Sequence, residues 1–374
     1  MALPIVGCSS STSSTPPPPP PSGATNFVYT ANAAGSPATV SALVSDPTTG
    51  ALSAISGSPY NTGSGSRAVQ ATAAGNFLYV TNYFSGDISV FTINQATGAL
   101  AELVTSPFAA ELGVGAIAVD PTGKFLYAVS ERSDNLFAFS IDSTGALSSL
   151  ASSPLSIDPA ETGSHAITVD PSGKFLFTTT EDSLTAGLYG FTRNLTTGAL
   201  TPIGAPVAIE HGAHAVVTDP AGKFVIVVSS GSSTLFGSIA VFTLDSTSGA
   251  LTPVSGSPFH TGVDPASVTV DPSGKFVFTA NTADATVSAF TLATSGALTP
   301  VANSPFPSGG NGSVNGPTGI VADASGQYVY VCNASNDISV FKINARTGAL
   351  TALTNSPFPA GGNGPSGITV VRKK

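Results

Sequence analysis

Seven positions fall on one recurring register, Arg67, Gly115, His165, His214, Ala266 and Thr318, each five residues ahead of a turn-forming residue, and Ser366 at the equivalent place near the C-terminus. The whole chain has only four His, so one Arg and two His on a single register concentrate the available chemistry. Glu131 and Arg132, and then Glu181 and Asp182, follow strand-like runs of neighbouring units, and His211 lies three residues before His214. A neutral His can take a proton from water, since its pKa lies near working pH. Arg can hold an anionic group or a developing oxyanion, and Glu can orient His. Together these parts suffice for hydrolysis of a lactone. On this reading His165 or His214 is the base, Arg67 and Arg132 bind an anionic group, and Glu131, Glu181 and His211 complete the substrate site. A wet rim of polar residues with no catalysis is the alternative reading of the same register.

Other chemistries lack their parts. No Cys or carboxylate set accompanies His211 and His214 to complete a zinc site. No glycine-rich loop opens a helix to cradle phosphate, and no strand–turn–helix carries a Ser nucleophile. Asp120, Asp170, Asp219 and Asp271 read as turn formers rather than calcium ligands. The site is therefore expected to use neither metal nor cofactor.

The elements that position these residues are written as a repeat. Thr/Ser-Gly-Ala-Leu recurs with its glycine at Gly50, Gly98, Gly145, Gly198, Gly249, Gly296 and Gly348, at intervals of 47 to 53 residues. Out of phase with it runs Asp-Pro-Thr/Ser-Gly-Lys, at Asp120–Lys124, Asp170–Lys174 and Asp271–Lys275, with Asp219–Lys223 a close copy and weaker copies at 72–76 and 323–327. Pro presets the second position of a type I turn and Gly accepts the left-handed position after it. Between the turns lie apolar runs of strand length, and a Ser-Pro-Phe-like segment (Ser106, Ser153, Ser257, Ser304 and Ser356) ends each unit. Four short antiparallel strands repeated seven times make a seven-bladed all-β propeller. The first unit, starting at Asn26, lacks its own first strand, and Gly367–Val371 reads as a first strand. The C-terminal segment should therefore pair into the N-terminal blade and close the ring, leaving no open edge. The expected organisation is a leader and tether over 1–25, the propeller over 26–371 and a tail over 372–374.

Tyr79-Val80-Thr81-Asn82 is the signature of the YVTN repeat, with variants at Tyr330–Asn333 and Val28–Asn32. With the two turn motifs, the region from 26 to 371 resembles the lactonase family of seven-bladed propellers, which includes 6-phosphogluconolactonase and a carboxymuconate cyclase. The resemblance implies a His at the start of one first strand, an Arg-His pair at the start of the next, and an acid after that blade's second strand. His165 and His214 match, whereas Ala213 stands in place of the Arg and Ser230 in place of the acid.

Composition narrows the partners. Net charge is −9 with 9% charged residues and no basic patch, which argues against nucleic acid. The absence of Trp argues against a WD-type propeller. Cys332 reads as a small buried hydrophobe and Cys8 as part of the leader, so no disulfide is expected. Ile5-Val6-Gly7-Cys8 resembles a lipobox and is followed by a Ser-rich stretch and six prolines, Pro16–Pro21. Anchor plus extended tether is the layout of a lipoprotein of the bacterial cell envelope. Only seven residues precede Cys8 and none is basic, whereas a secretory leader carries a basic and an apolar region. A cytoplasmic protein with a disordered tail therefore stands as the alternative. The two functional readings are a monomeric hydrolase of a small lactone, acting on a carboxylic ester through His-activated water, and a non-catalytic, lipid-anchored propeller that binds a glycan, peptide or envelope partner.

Overall fold

The turn aspartate closes the first hairpin through its own side chain at Asp120, Asp170, Asp219, Asp271 and Asp323. Asp120 Oδ1 accepts the backbone N–H groups of Lys124 and Phe125, each at 2.8 Å, while Oδ2 accepts from the Thr122 backbone at 3.2 Å and its hydroxyl at 2.5 Å. Such an Asx turn satisfies donors that the reversal would otherwise leave unpaired. The same bonds recur at Asp271 and Asp323. These aspartates are turn formers, as their spacing indicates.

The computed structural model describes residues 25–157, 163–180, 186–210, 212–230, 236–309 and 316–374. They form seven antiparallel sheets and no helix. Blades are numbered here around the ring. Blade 2 opens with Ser66–Ala71, blade 3 with Val114–Val119, blade 4 with Ser164–Val169, blade 5 with Ala213–Thr218, blade 6 with Pro265–Val270 and blade 7 with Pro317–Ala322. Blade 1 takes its first strand, Asn363–Arg372, from the C-terminal region, which pairs with Asn26–Ala34 in the register Val28 to Val370 and Thr30 to Ile368. The seven first strands line the axis, each beside the next, and Asn363–Arg372 lies between those of blades 7 and 2.

Each fourth strand is broken in two. In blade 3, Leu147–Ser149 and Leu155–Ser156 both pair with the third strand, Asn135–Ile141. The break would strand the N–H of Ala138, and the Ser153 hydroxyl accepts it at 3.0 Å. Ser58, Ser106, Ser257, Ser304 and Ser356 do the same for Ala42, Val90, Val241, Ala289 and Val340. The serine of the repeated Ser-Pro segment is thus a stand-in for a missing ladder carbonyl.

The two repeat motifs meet across blade boundaries. Tyr29, Tyr79 and Tyr127 are fully buried and donate to the carbonyls of Gly98, Gly145 and Gly198 in the following blade, at 2.9, 3.1 and 2.7 Å. Each of those glycines has a left-handed φ and lies where an added Cβ would stand 2.4 Å from an aromatic ring: Phe27, Phe77 and Phe125 respectively. Around these links the apolar residues of adjacent blades form continuous clusters, such as Phe27, Tyr29, Val40, Leu78, Val80, Phe91 and Ile93. Each large side chain buried in this way contributes about 1.5–3 kcal/mol.

Arg193 corrects one expectation. As the polar member of a third-strand column that holds Ile93 and Ile141 elsewhere, it is expected to snorkel toward the face opposite the channel mouth. Instead its guanidinium stops inside the boundary with blade 3. There it pairs with Asp120 at 3.2 Å, donates to the Gly173 carbonyl at 2.5 Å and lies over the Phe125 ring.

Candidate functional site

A β-bulge marks every first strand at the same place. Pairing skips one residue between Val114 and Ala116, Ser164 and Ala166, Ala213 and Ala215, Pro265 and Ser267, and Pro317 and Gly319. It skips Ser366 in blade 1 and one residue of the Arg67–Ala68 pair in blade 2. The extra residue is the register read from the sequence. A bulge turns its residue out of the alternation of the strand, and here it delivers seven side-chain positions to one mouth. All seven line a single cavity of about 570 Å³, floored by small residues such as Ala116, Ala166, Ala215 and Gly319.

The mouth has two unlike halves. In blades 7 and 1 the register hydroxyls hold the ring together: Thr318 donates to the Pro365 carbonyl at 2.7 Å and Ser366 to that of Ser66 at 2.8 Å. The ionisable groups belong to blades 2 to 6. His165 and His214 stand edge to face with ring centres 6.3 Å apart. Arg67 reaches across to blade 3, where one Nη lies 3.1 and 3.2 Å from the two carboxylate oxygens of Glu131. Glu131 is nearly buried, whereas Arg67 is half exposed. Arg132 lies outside the cavity wall. Its guanidinium covers the Tyr83 ring at 4.9 Å and bonds the phenol oxygen at 3.3 Å, and Arg67 also approaches that ring, at 5.7 Å. Arg67, Glu131, His165 and His214 therefore converge, and Arg132 stands at the rim. Glu181, Asp182, His211 and Cys8 lie outside the described residues.

One participant escapes the sequence register. The Ser230 hydroxyl lies 2.7 Å from His214 Nε2 and 3.0 Å from Asp264 Oδ1, with His214 Nε2 and Asp264 Oδ1 3.5 Å apart. Asp264 comes from blade 6 and brings a carboxylate to the place where Ser230 substitutes for one. It occupies a column that is otherwise Gly65, Gly113, Gly163, Gly212, Gly316 and Gly364, and it adopts the left-handed φ of +55°. A lone aspartate in a glycine column was the available signal. Asp tolerates that backbone better than most residues, and such strain persists where the surroundings hold it in place.

Cys332 lies behind the channel wall, 3.3 Å from the Thr318 hydroxyl, and burial raises its pKa to about 11. The thiol is therefore neutral and a poor nucleophile at ordinary pH. Among the described residues no cluster of His, Cys, Asp or Glu could hold a metal. A cleft of about 740 Å³ opens on the opposite face between Asp271, Lys275, Tyr328 and Lys342. Both oxygens of Asp271 are engaged by its own turn, which leaves the axial mouth as the place where acid–base groups meet.

Comparison with known proteins agrees with this architecture. The family model described as "Lactonase, 7-bladed beta-propeller" matches residues 39–217 and 208–370. Among solved structures, a candidate 6-phosphogluconolactonase of Bacteroides uniformis superposes with a TM-score of 0.74 at 20% identity, covering 93% of this chain and all of the other. The periplasmic gluconolactonase of Pseudomonas aeruginosa gives 0.73 at 16% identity, covering 94% and 100%. Hydrazine synthase of Kuenenia stuttgartiensis gives 0.62 at 16% identity, covering 82% and 95%, which shows how widely the fold is shared. A search of curated proteins returned no match. On the strength of the family match, which spans nearly the whole propeller, the chain belongs to the seven-bladed β-propeller lactonase family.

Proposed function

We propose that the protein hydrolyses a small, uncharged lactone at the axial mouth. The observation that carries this reading is the convergence of His165, His214 and the Arg67–Glu131 pair in one cavity, whose volume suits a small molecule. A neutral His takes a proton from water as the water oxygen attacks the lactone carbonyl. Arg67, which keeps further N–H donors, stabilises the oxyanion. The ring C–O bond then breaks, the imidazolium returns its proton to the leaving oxygen, and a hydroxy acid is released. Family membership and the lactonase names among the structural neighbours support the reaction class. The charge balance supports an uncharged substrate. Among the described residues the one guanidinium in the cavity wall is already engaged by a carboxylate, and Asp264 adds a second negative charge beside His214. Among the described residues that line the cavity, a phosphorylated or carboxylated lactone would meet no cation without a carboxylate partner.

The test is turnover of a panel of lactones by the purified chain, with His165→Ala and His214→Ala as controls. Loss of a general base lowers kcat by about 10²–10⁴. Absence of turnover on every lactone, or turnover indifferent to both changes, would refute the enzyme reading.

A separate observation favours the binding reading. Phe84, Leu112 and Phe236 are more than half exposed on loops at the mouth face, and exposed apolar side chains around a polar centre suit a partner. A glycan, peptide or envelope component bound at this face without turnover is the outcome that would support it, and an anchor at Cys8 would place such a protein at the cell envelope.

A further inference from the structure

The hydrogen-bond arithmetic around Ser230 assigns a proton. An ionised carboxylate only accepts, and a hydroxyl has one proton to give. The 3.0 Å contact from Ser230 to Asp264 uses that proton, so the 2.7 Å contact to His214 must be donated by Nε2. The chain of donation runs from His214 Nε2–H to the Ser230 oxygen, and from Ser230 O–H to Asp264. In a neutral imidazole this leaves the basic lone pair on Nδ1. The groups facing His214 across the cavity among the described residues are His165, edge-on at 6.3 Å between ring centres, and the mutually paired Arg67 and Glu131. Asp264 is the described carboxylate within 4 Å of the ring nitrogen.

We infer that Asp264 is a positioning residue. Contributed by the neighbouring blade through Ser230, it holds His214 as the Nε2–H tautomer and strengthens Nδ1 as the acceptor of the proton from the attacking water. The step conserves protons. Nδ1 gains one from water, the imidazolium is stabilised by the carboxylate through the hydroxyl, and the same proton leaves with the ring oxygen. This role rests on the hydrolase reading, but the relay itself does not. The backbone argument makes the substitution clean. Glycine occupies this column in the other six blades, with a left-handed φ at Gly65, Gly113, Gly163, Gly212 and Gly364, so Asp264→Gly removes the carboxylate without straining the chain.

The experiment is side-chain nitrogen NMR of His214 in the full-length chain and in Asp264→Gly, Asp264→Asn and Ser230→Ala, with the pH profile of lactone hydrolysis measured in parallel. The parent chain should show the Nε2–H tautomer. Asp264→Gly and Ser230→Ala should mix the tautomers. Asp264→Asn should keep the tautomer, since its amide oxygen still accepts from Ser230, but should lower the proton affinity of the ring. Removing a nearby negative charge disfavours the imidazolium, so the His214 midpoint and the acid limb of the pH profile should both move to lower pH in Asp264→Gly. In that variant kcat should fall on the order of tenfold with little change in KM. An Nδ1–H tautomer in the parent chain would overturn the inference, as would an unchanged tautomer and midpoint in Asp264→Gly. If no lactone is turned over at all, the hydrolase reading falls while the NMR still decides the relay.

Discussion

Arg193 and Asp120 meet at 3.2 Å across the boundary between blades 4 and 3, both side chains almost wholly withdrawn from solvent. Their dependence on each other is unequal. Asp120 also accepts four hydrogen bonds from its own turn, whereas Arg193 leaves Nη1 with no partner. Removing one partner of a buried pair strands the other charge and costs about 3–5 kcal/mol, less where hydrogen bonds still hold the remaining charge. Asp120→Ala should therefore destabilise by about 3–5 kcal/mol. Arg193→Ile, which installs the residue found at Ile93 and Ile141, leaves Asp120 held by its four turn bonds and should destabilise by less than Asp120→Ala. Denaturant melts of both variants check this. Equal losses would mean that the two groups depend on each other symmetrically.

Serine side chains that replace ladder carbonyls should be costly to remove. Ser153→Ala leaves the Ala138 N–H without its 3.0 Å acceptor, a loss of about 1–3 kcal/mol for a stranded buried donor. Chemical denaturation measures it, and amide exchange should locate the loosening at the third strand of blade 3.

The buried tyrosines set an alkaline limit. Burial raises the phenols of Tyr127 and Tyr330 to about 12 and pushes Tyr29 and Tyr79 up as well. A folded-state pKa above the unfolded value means that stability is full below about pH 10 and is lost as pH rises toward 12. Each phenol accounts for on the order of 1–3 kcal/mol across that window. Stability followed from pH 9 to 12 should fall steeply, and Tyr127→Phe should flatten the fall while losing the bond to Gly198 at lower pH. An unchanged slope would show that Tyr127 does not contribute.

Substrate charge gives the sharpest test of the mouth. Glu131→Gln frees the Arg67 guanidinium from its carboxylate. It should raise kcat/KM for an anionic lactone relative to an uncharged one by about tenfold. Competition between a phosphorylated and an unphosphorylated lactone measures the ratio. No change would mean that the Arg67–Glu131 pair does not set selectivity.

Much of this architecture is periodic, and periodic information is readable from one sequence. The glycines from Gly50 to Gly348 count the blades, the matching ends at Asn26 and Ile368 imply the closure, and the spacing to the turn residue names every position around the mouth. What escapes is the breaking of the period. Asp264 carries no motif and is visible only as a departure from a column of glycines. Arg193 finds its partner in the preceding blade, 73 residues back in sequence, a separation that no local pattern encodes. The bond from Tyr127 to Gly198 likewise joins two signatures that look independent along the chain. Side chains that cross between blades pair at offsets set by three-dimensional rotation, so they become legible only once the sheets are side by side.

The pairing of Thr30 with Ile368 also sets the order of events at the ribosome. Blades 2 to 7 can assemble as they emerge, but Asn26–Ala34 of blade 1 must wait for Asn363–Arg372, made more than 300 residues later. At about 5–20 residues per second this interval is roughly 20–70 s. Throughout it one edge of Asn26–Ala34, whose other edge pairs with Thr39–Ser45, stays open to a neighbour on the same messenger RNA. Fidelity in the cell therefore depends on how that one edge is shielded until synthesis ends.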